Sequence, residues 1–385
     1  MRIAVIGAGA SGLAFAISLK IKNPAARVTV FERLDSPGKK LLATGNGRCN
    51  LSNSAACAEK YSNDFASGII DVKETLDFFN SLGLKTREDS EGRIYPYSNR
   101  AQSVVDILCA AANQNGVEII TGVCIKSCKK HGGRFILNSE FESYTADCLV
   151  VAAGGKASPA LGSNGSGYEI LTSFGHTLAT PLPALVQLTS PNRLCRVLKG
   201  ERSKCKISIV AGGKTVFSQS GEILFTSYGI SGIAALNAGT CVAKAFNNNP
   251  NEKICALIDF APDFSESEIA EHFEKFKNLT GITGGAISNE ICRQCGGDSS
   301  LAAKCCKAQK FIISGTKSFD FAQLTSGGIA PGEFTKNLES KKVKNLFAVG
   351  EVLDIDAQCG GFNLQWAWSS AVKAADYIAG GINND

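Results

Sequence analysis

The chain opens on RIAVIG, a short apolar run rich in β-branched residues that stops at Gly7, as a strand buried on both faces does. After the hexapeptide Gly7-Ala8-Gly9-Ala10-Ser11-Gly12, apolar residues return at Leu13, Ala16, Ile17 and Ile21, which is helical spacing. RVTVFE reads as a second strand, closing on Glu32. Amphipathic patterns then predict helices near 72–82 and over 101–113, with strands around VEIITGV, CIKSC and RFIL. Residues 148–155, CLVVAAGG, read as a further buried parallel strand running into a glycine turn. LFAVGE is a similar strand ending at Gly350, and the pattern over 363–378 is helical.

Between 185 and 325 the texture changes. KISIV, KTVFSQ and EILFTS look like short antiparallel strands, followed by the helical SESEIAEHFEKFKN and a cysteine-rich helical stretch. The expected organisation is one nucleotide-binding domain in two segments, 1–185 and 326–385, interrupted by an inserted lobe at 186–325.

A lone GxGxxG is a weak signal, but here it lies between a strand and a helix, with an acid closing the next strand. Gly7 permits the tight turn, Gly9 lets backbone N–H groups reach a pyrophosphate, and Gly12 lets helix and strand approach. The helix N-terminus then meets the phosphates with its partial positive charge. Glu32 is placed to accept hydrogen bonds from both ribose hydroxyls, which disfavours a 2′-phosphorylated nucleotide there.

Composition narrows the class. With 385 residues, 44% hydrophobic and 19% charged, the chain has the balance of a globular protein. No apolar run reaches the roughly 18–20 residues that cross a bilayer, and the N-terminus lacks a signal-peptide pattern, so a cytoplasmic protein is expected. Fifteen cysteines, odd in number and often inside apolar runs, fit buried reduced thiols better than a disulfide framework. Cys292-x-x-Cys295 followed by the adjacent Cys305-Cys306, with only His272 nearby, is a poor zinc pattern, and no metal is expected. None of the three histidines, His131, His176 and His272, has a nucleophile and an acid beside it in sequence, which argues against hydrolysis; of an active-site wall and a residue ending a helix, His176 reads better as the second. The net charge of +5 does not demand a polyanionic partner. Arg193, Arg196, Lys199, Arg202, Lys204 and Lys206 form a local basic run without aromatic residues to stack bases, so a solvated face is expected there rather than a nucleic-acid site.

Residues 40–53, KLLATGNGRCNLSN, have neither strand nor helix period, and Thr44, Gly45 and Gly47 keep the backbone approachable. Together with GAGASGLAFAISL, GRIYPYSNRAQSVVDIL, VVAAGGKASPALGSNGSGYEI, GHTLATPLPALVQL, GEILFTSYGISG and AVGEVLDIDAQCGGFNLQWAWSS, the stretch resembles the BaiN-like bacterial flavoproteins, also described as NAD(P)/FAD-dependent oxidoreductases or aminoacetone-oxidase-type FAD-binding enzymes. The resemblance runs in order along nearly the whole chain. It implies an α/β fold: a Rossmann-type FAD-binding domain of the glutathione-reductase kind, interrupted by an insert with a β-barrel-like part and a helical part.

The resemblance further implies that 40–50 is a flavin-contacting loop running along the pyrophosphate and ribityl chain toward the ring. The cofactor-facing set then comprises, besides Gly7, Gly9, Gly12 and Glu32, the residues Ala10, Ser11, Arg33, Lys40, Thr44, Gly45, Asn46, Gly47, Arg48, Cys49 and Asn50. Val123, Ala153, Gly154, Gly155, Gly350, Glu351, Gly361, Asn363 and Leu364 complete it. The helix beginning near Gly361 is expected to aim its free N–H groups at the N1/C2=O edge of the ring. Arg48, Arg93 and Tyr95 are candidates for orienting a substrate. Many relatives carry His-Phe or His-Tyr and Ser-Gly-Pro where this chain has Ser227-Tyr228 and Ser231-Gly232-Ile233, so a role of that histidine does not transfer.

The reaction expected is hydride transfer between flavin N5 and a small organic substrate. The leading form is an NAD(P)H-driven reductase of an electron-poor C=C bond; the alternatives are an oxygen-using amine or amino-ketone oxidase and a non-catalytic flavin-containing binding protein. Gly165-Ser166-Gly167 lacks a preceding strand and a third glycine, so no second dinucleotide site is expected, and a nicotinamide cofactor would bind transiently at the flavin face.

Overall fold

In a computed structural model, which describes residues 1–382, the chain divides into two compact units. Met1–Pro181 joins the segment from Leu324 onward in the first, and Leu182–Gln323 forms the second, so the two hand-overs fall after Pro181 and after Gln323.

The first unit is built on a five-stranded sheet in the order Leu346–Ala348, Cys148–Val151, Arg2–Ile6, Arg27–Phe31, Glu118–Ile120. Every pairing in it is parallel, with Ile3 opposite both Cys148 and Val28. Continuous apolar runs such as CLVV are what such a sheet needs, because both of its faces are covered. The helices Ala10–Lys22 and Phe362–Ile382 pack against one another, and Phe15, Trp366 and Trp368 are fully buried in the same core. The helix Val72–Ser81 starts where Asp71 accepts a hydrogen bond from Glu74 N at 2.8 Å.

A three-stranded antiparallel meander, Ser127–His131, Arg134–Asn138 and Ser143–Ala146, belongs to the same unit. The strand expected at CIKSC therefore begins later, at Ser127. Lys126 N–H to Asn138 O is the bond that opens the ladder, and Cys124 and Ile125 precede it without a cross-strand partner.

The second unit holds a seven-stranded sheet whose assigned pairings are antiparallel. KTVFSQ and EILFTS, read as separate strands, form one continuous strand, Lys214–Thr226. Gly221 sits mid-strand, and a Cβ there would lie 3.2 Å from the Ala234 side chain, so the glycine admits the helix Ile233–Asn248 close to the sheet. The helix Glu266–Phe276 has a reciprocal cap between Ser265 and Glu268. The cysteine-rich stretch is helical over Gly285–Cys295 and Ser299–Lys307. Arg202, Lys204 and Lys206 alternate outward along their strand against buried Cys205 and Ile207, and Arg202 pairs with Glu222 at 2.5 Å. Among the described residues no helix is long and apolar enough to cross a membrane.

Candidate active site

The glycine turn follows the first strand directly. Gly7 has φ +104°, and a Cβ there would lie 2.5 Å from Ala152 O; one at Gly12 would lie 1.9 Å from Gly7 O. Both glycines are thus required for the strand, the turn and the helix to close up. Gly9 differs, because a Cβ there would meet nothing within 4 Å: open space adjoins the first turn of the helix. That helix has no side-chain cap and no acidic residue in its first turn, so its leading N–H groups are available to an anion.

Glu32 is buried beside the turn. One carboxylate oxygen accepts Ala8 N–H at 2.9 Å and the other accepts Leu34 N–H at 2.9 Å, which fixes the carboxylate and leaves each oxygen further acceptor capacity. Arg33 donates to Gly162 O at 2.8 Å and Pro159 O at 2.5 Å, and Val123 N–H bonds Glu32 O at 2.9 Å. Both residues brace the loops around Glu32 through bonds already made.

Thr44–Gly47 form a tight 3₁₀ turn, kinked at Gly45 and Asn46, rather than an open loop. Gly45, Asn46, Gly47 and Cys49 all have left-handed φ, between 56° and 80°. A Cβ at Gly45 would lie 2.8 Å from Asn50 N. Asn46 and Cys49 hold this conformation without being glycine, a strain of the kind found at binding sites. Thr44 Oγ1 donates to Leu41 O at 2.6 Å, and Cys49 N–H to Thr44 O at 3.0 Å. Burial pushes the Cys49 thiol up to about 12, and the Cys359 thiol likewise to about 12, so both stay protonated at neutral pH. None of the fifteen cysteines is in a disulfide.

The return segment closes on this turn. Lys40 Nζ lies 3.0 Å from Glu351 Oε2, while Glu351 Oε1 accepts Thr325 N–H at 2.9 Å. Thr325 Oγ1 accepts the N–H groups of Lys156 at 2.7 Å and Ala157 at 3.0 Å. Gly155 is packed into this knot, and a Cβ there would lie 2.4 Å from Thr325 Oγ1. Gly154 has φ +69°, with Ser163 Oγ 2.9 Å from where its Cβ would be, and Ala153 packs on the core. Ser11 Oγ would be 2.6 Å from a Cβ at Gly350, which brings the first helix and the return segment together.

Gly361, at φ +98°, starts the turn into the helix Phe362–Ile382; a Cβ there would lie 2.3 Å from Ser52 O and 2.8 Å from Asn50 Oδ1. Gln365 N–H bonds Gly361 O at 3.0 Å, leaving the amides of Phe362, Asn363 and Leu364 as the helix's free donors. The Asn363 side chain bonds both Ala357 N and Ala357 O at 2.9 Å, and Leu364 is half-buried against the core. Asn50 Oδ1 is buried without a hydrogen-bond partner. An orphaned acceptor beside a glycine cradle and a set of free helix amides fits the donor and acceptor edge of a flavin ring, as open Gly9 fits a pyrophosphate.

The three candidates for substrate handling differ in freedom. Arg93 is held by Asp89 at 2.8 Å and Glu91 at 3.0 Å. Arg48 lies over the buried Tyr95 ring at 4.7 Å and uses only Nε, toward Gly45 O at 3.1 Å. Its terminal N–H groups keep their donor capacity.

Several residues of the site escaped the sequence pattern. Trp366 Nε1 donates to Gly350 O and Trp368 Nε1 to Leu51 O, each at 3.0 Å, so two core residues also clamp the segments at Gly350 and Leu51. Gln365, fully buried, accepts Ser52 Oγ at 2.6 Å and donates to Thr75 Oγ1 at 2.8 Å; a glutamine amid LQWAW was the available signal. His176 closes the end of the helix Ser166–Ser173, its N–H bonding Leu171 O at 3.2 Å, and two partners distant in sequence also surround its ring: Glu333 Oε2 lies 2.8 Å from Nδ1 and Ser340 Oγ 2.9 Å from Nε2. The order is that of a hydrolytic triad, but Ser340 Oγ also accepts the N–H groups of Lys342 and Val343, and it is buried, so the trio acts as a clamp. Among the described residues no three His, Cys, Asp or Glu are grouped as metal ligands.

Comparison with known proteins accords with this geometry. Residues 1–377 match the family described as the HI0933-like protein Rossmann domain. The chain is 36% identical to the 3-dehydro-bile acid delta(4,6)-reductase of Clostridium scindens, over 98% of each chain. It is 29% identical to the ribosomal RNA dihydrouridine synthase of Escherichia coli, over 97% of each. The solved 3-ketosteroid-delta4-(5alpha)-dehydrogenase of Rhodococcus jostii shares the fold, with a TM-score of 0.53 at 14% identity, covering 98% of this chain and 96% of that one. The parallel sheet, the glycine turn and a family match spanning nearly every residue lead to one assignment: the chain belongs to the HI0933-like Rossmann family and is an FAD-dependent oxidoreductase.

Proposed function

We propose that the protein reduces a carbon–carbon double bond conjugated to a carbonyl group. The observation that carries this is full-length similarity, at 36% identity, to a delta(4,6)-reductase of a 3-dehydro-bile acid. A second relative is named for making dihydrouridine, whose formation from uridine also adds two hydrogens across a C=C bond next to a carbonyl. The shared chemistry is the addition of two hydrogens across a C=C bond next to a carbonyl, with a small enone as the substrate class.

FAD, when bound, supplies the hydride to the electron-poor carbon. The chain's own residues do the rest. Glu32 and the Gly7–Gly12 turn hold the adenosine end, Gly9 giving the close approach. The free amides of 362–364 would hold the flavin edge that gains negative charge on reduction, and Asn50 Oδ1 would accept a ring N–H. Arg48 donates to the substrate carbonyl and stabilises the enolate that hydride addition leaves, with Tyr95 fixing its guanidinium plane, and the α-carbon takes its second hydrogen as a proton from water. Arg93, neutralised by its two carboxylates, positions the strand that carries Tyr95. A reduced nicotinamide cofactor is the electron source and visits the same face in turn with the enone.

Anaerobic mixing tests this. Enzyme reduced by NADH or NADPH should be reoxidised by a 3-oxo-Δ4 steroid acid, with the saturated ketone as product and ping-pong kinetics. Flavin that is instead reduced by amines and consumes oxygen would replace this reading with the oxidase one.

A further inference from the structure

Gln365 is wholly buried in the first turn of the helix Phe362–Ile382, and its amide is fully engaged. Oε1 accepts the Ser52 hydroxyl at 2.6 Å. Nε2 faces Asp71 O at 2.9 Å and the hydroxyls of Thr75 and Ser369, each at 2.8 Å. Asp71 N–H bonds Ser369 Oγ at 3.1 Å and the Thr75 hydroxyl bonds Asp71 O at 3.0 Å, so these deeply buried groups satisfy one another. An apolar side chain of the same length would fill the space without desolvating an amide, so what the network contributes is geometry.

That geometry joins two segments. Residues 50–53 carry the orphaned Asn50 Oδ1, and the helix start carries the free amides of 362–364. Three consecutive residues cross between them: Leu51 O to the Trp368 indole at 3.0 Å, the Ser52 hydroxyl to Gln365, and Asn53 Nδ2 to Gly360 O at 3.0 Å. The middle link is made by two side chains and falls in the same helical turn as the free amides. Ser52 O and Asn50 Oδ1 lie 2.3 and 2.8 Å from where a Cβ on Gly361 would be, so the two backbones are already in contact. Rotation of that first turn about the helix axis would swing its amides off any acceptor, and hydrogen bonds weaken steeply with angle. Gln365, pinned by oxygens of Ser52, Asp71, Thr75 and Ser369, opposes the rotation.

We infer that Gln365 is a positioning residue that sets the redox balance of bound FAD: through Ser52 it keeps the amides of 362–364 aimed at the ring edge that gains negative charge, which favours the reduced form. The role depends on FAD in this site and not on the identity of the substrate. Sulfite probes it without turnover, because its lone pair adds to flavin N5 and drives an electron pair onto the same N1/C2=O edge. FAD-loaded Ser52→Ala and Gln365→Met should each bind sulfite at least about tenfold more weakly than the parent protein. The flavin midpoint potential should fall to match, by at least about 30 mV, which is that tenfold change for a two-electron couple. Urea stability should drop in both variants, as any packing role would also require; sulfite affinity and potential are the readouts that packing alone leaves unmoved. Variants that hold FAD with the parent's sulfite affinity and midpoint potential overturn the assignment, and so does tighter sulfite binding. Should Gln365→Met fail to fold, Ser52→Ala, which removes a single hydroxyl, decides alone.

Discussion

The indole N–H of Trp368 donates to the carbonyl of Leu51 at 3.0 Å, tying the last described helix to the segment that follows the turn at Thr44–Gly47. Phe79 meets the same indole edge-on at 5.0 Å between ring centroids. Trp368→Phe keeps much of the packing but strands a buried carbonyl, so it should lower unfolding stability by about 1–3 kcal/mol and weaken FAD retention. Urea unfolding with and without FAD reads both; equal loss in the two states would mean that the clamp does not reach the cofactor.

Gly9 and Gly12 should separate binding from folding. Gly12→Ala drives a methyl to 1.9 Å from Gly7 O and should destabilise the apo-protein by more than about 2 kcal/mol. Gly9→Ala meets open space and should leave apo stability within about 0.5 kcal/mol while weakening FAD binding at least tenfold. Unchanged FAD affinity in Gly9→Ala would remove the pyrophosphate from that turn.

Glu32→Ala releases the N–H groups of Ala8 and Leu34 along with any ribose contact. A loss of about 1–3 kcal/mol in FAD binding is expected. Calorimetric titration of the stripped protein with FAD measures it, and an affinity equal to the parent's would take Glu32 out of the site.

The parallel sheet, the glycine turn and the acid after the second strand were legible because each rests on local spacing: an apolar run, a GxGxxG and the residue closing RVTVFE. The His176 clamp was not, because Glu333 and Ser340 lie 157 and 164 residues away and only the return segment brings them in. The fused strand Lys214–Thr226 was misread as two for the opposite reason: the polar SQSGE looks like a break, whereas the sheet has a solvated face that accepts it. The left-handed residues at 45–49 showed as glycine richness, but Asn46 and Cys49 sharing that conformation is a property of packing.

The clamp carries a pH signature. Burial lowers the His176 pKa below its usual 6.5, although Glu333 opposes this, so the neutral ring is favoured in the fold. Its contribution is full above about 6.5 and is lost as pH falls below that value, at no more than about 1.4 kcal/mol per pH unit. Burial opposes ionisation of Glu333, but Lys342, Thr177 and His176 hold it down at about 2, so its contribution fades later, between 4.5 and about 2. In urea titrations His176→Phe should flatten the step just below pH 6.5 and spare much of the deeper one; an unaltered upper step would refute the assignment.

Thiol reactivity should sort by burial. With Cys49 and Cys359 at about 12, iodoacetamide at about pH 8 should label exposed Cys57 first and leave those two unmodified in the folded protein. Peptide mass spectrometry reads the order, and early labelling of Cys49 would mean that its turn opens.

The interruption of the first unit after Pro181 sets a timetable for synthesis. The strand Leu346–Ala348 and the helix carrying Trp366 and Trp368 complete its core, yet neither exists until Leu182–Gln323 has been made. At roughly 5–20 residues per second that delay is on the order of ten seconds, during which the sheet edge at Cys148–Val151 and the face under Phe15 lie bare. The second unit, continuous in sequence, can close first, so a finished insert follows the first part of a still unfinished nucleotide fold until the return segment is made.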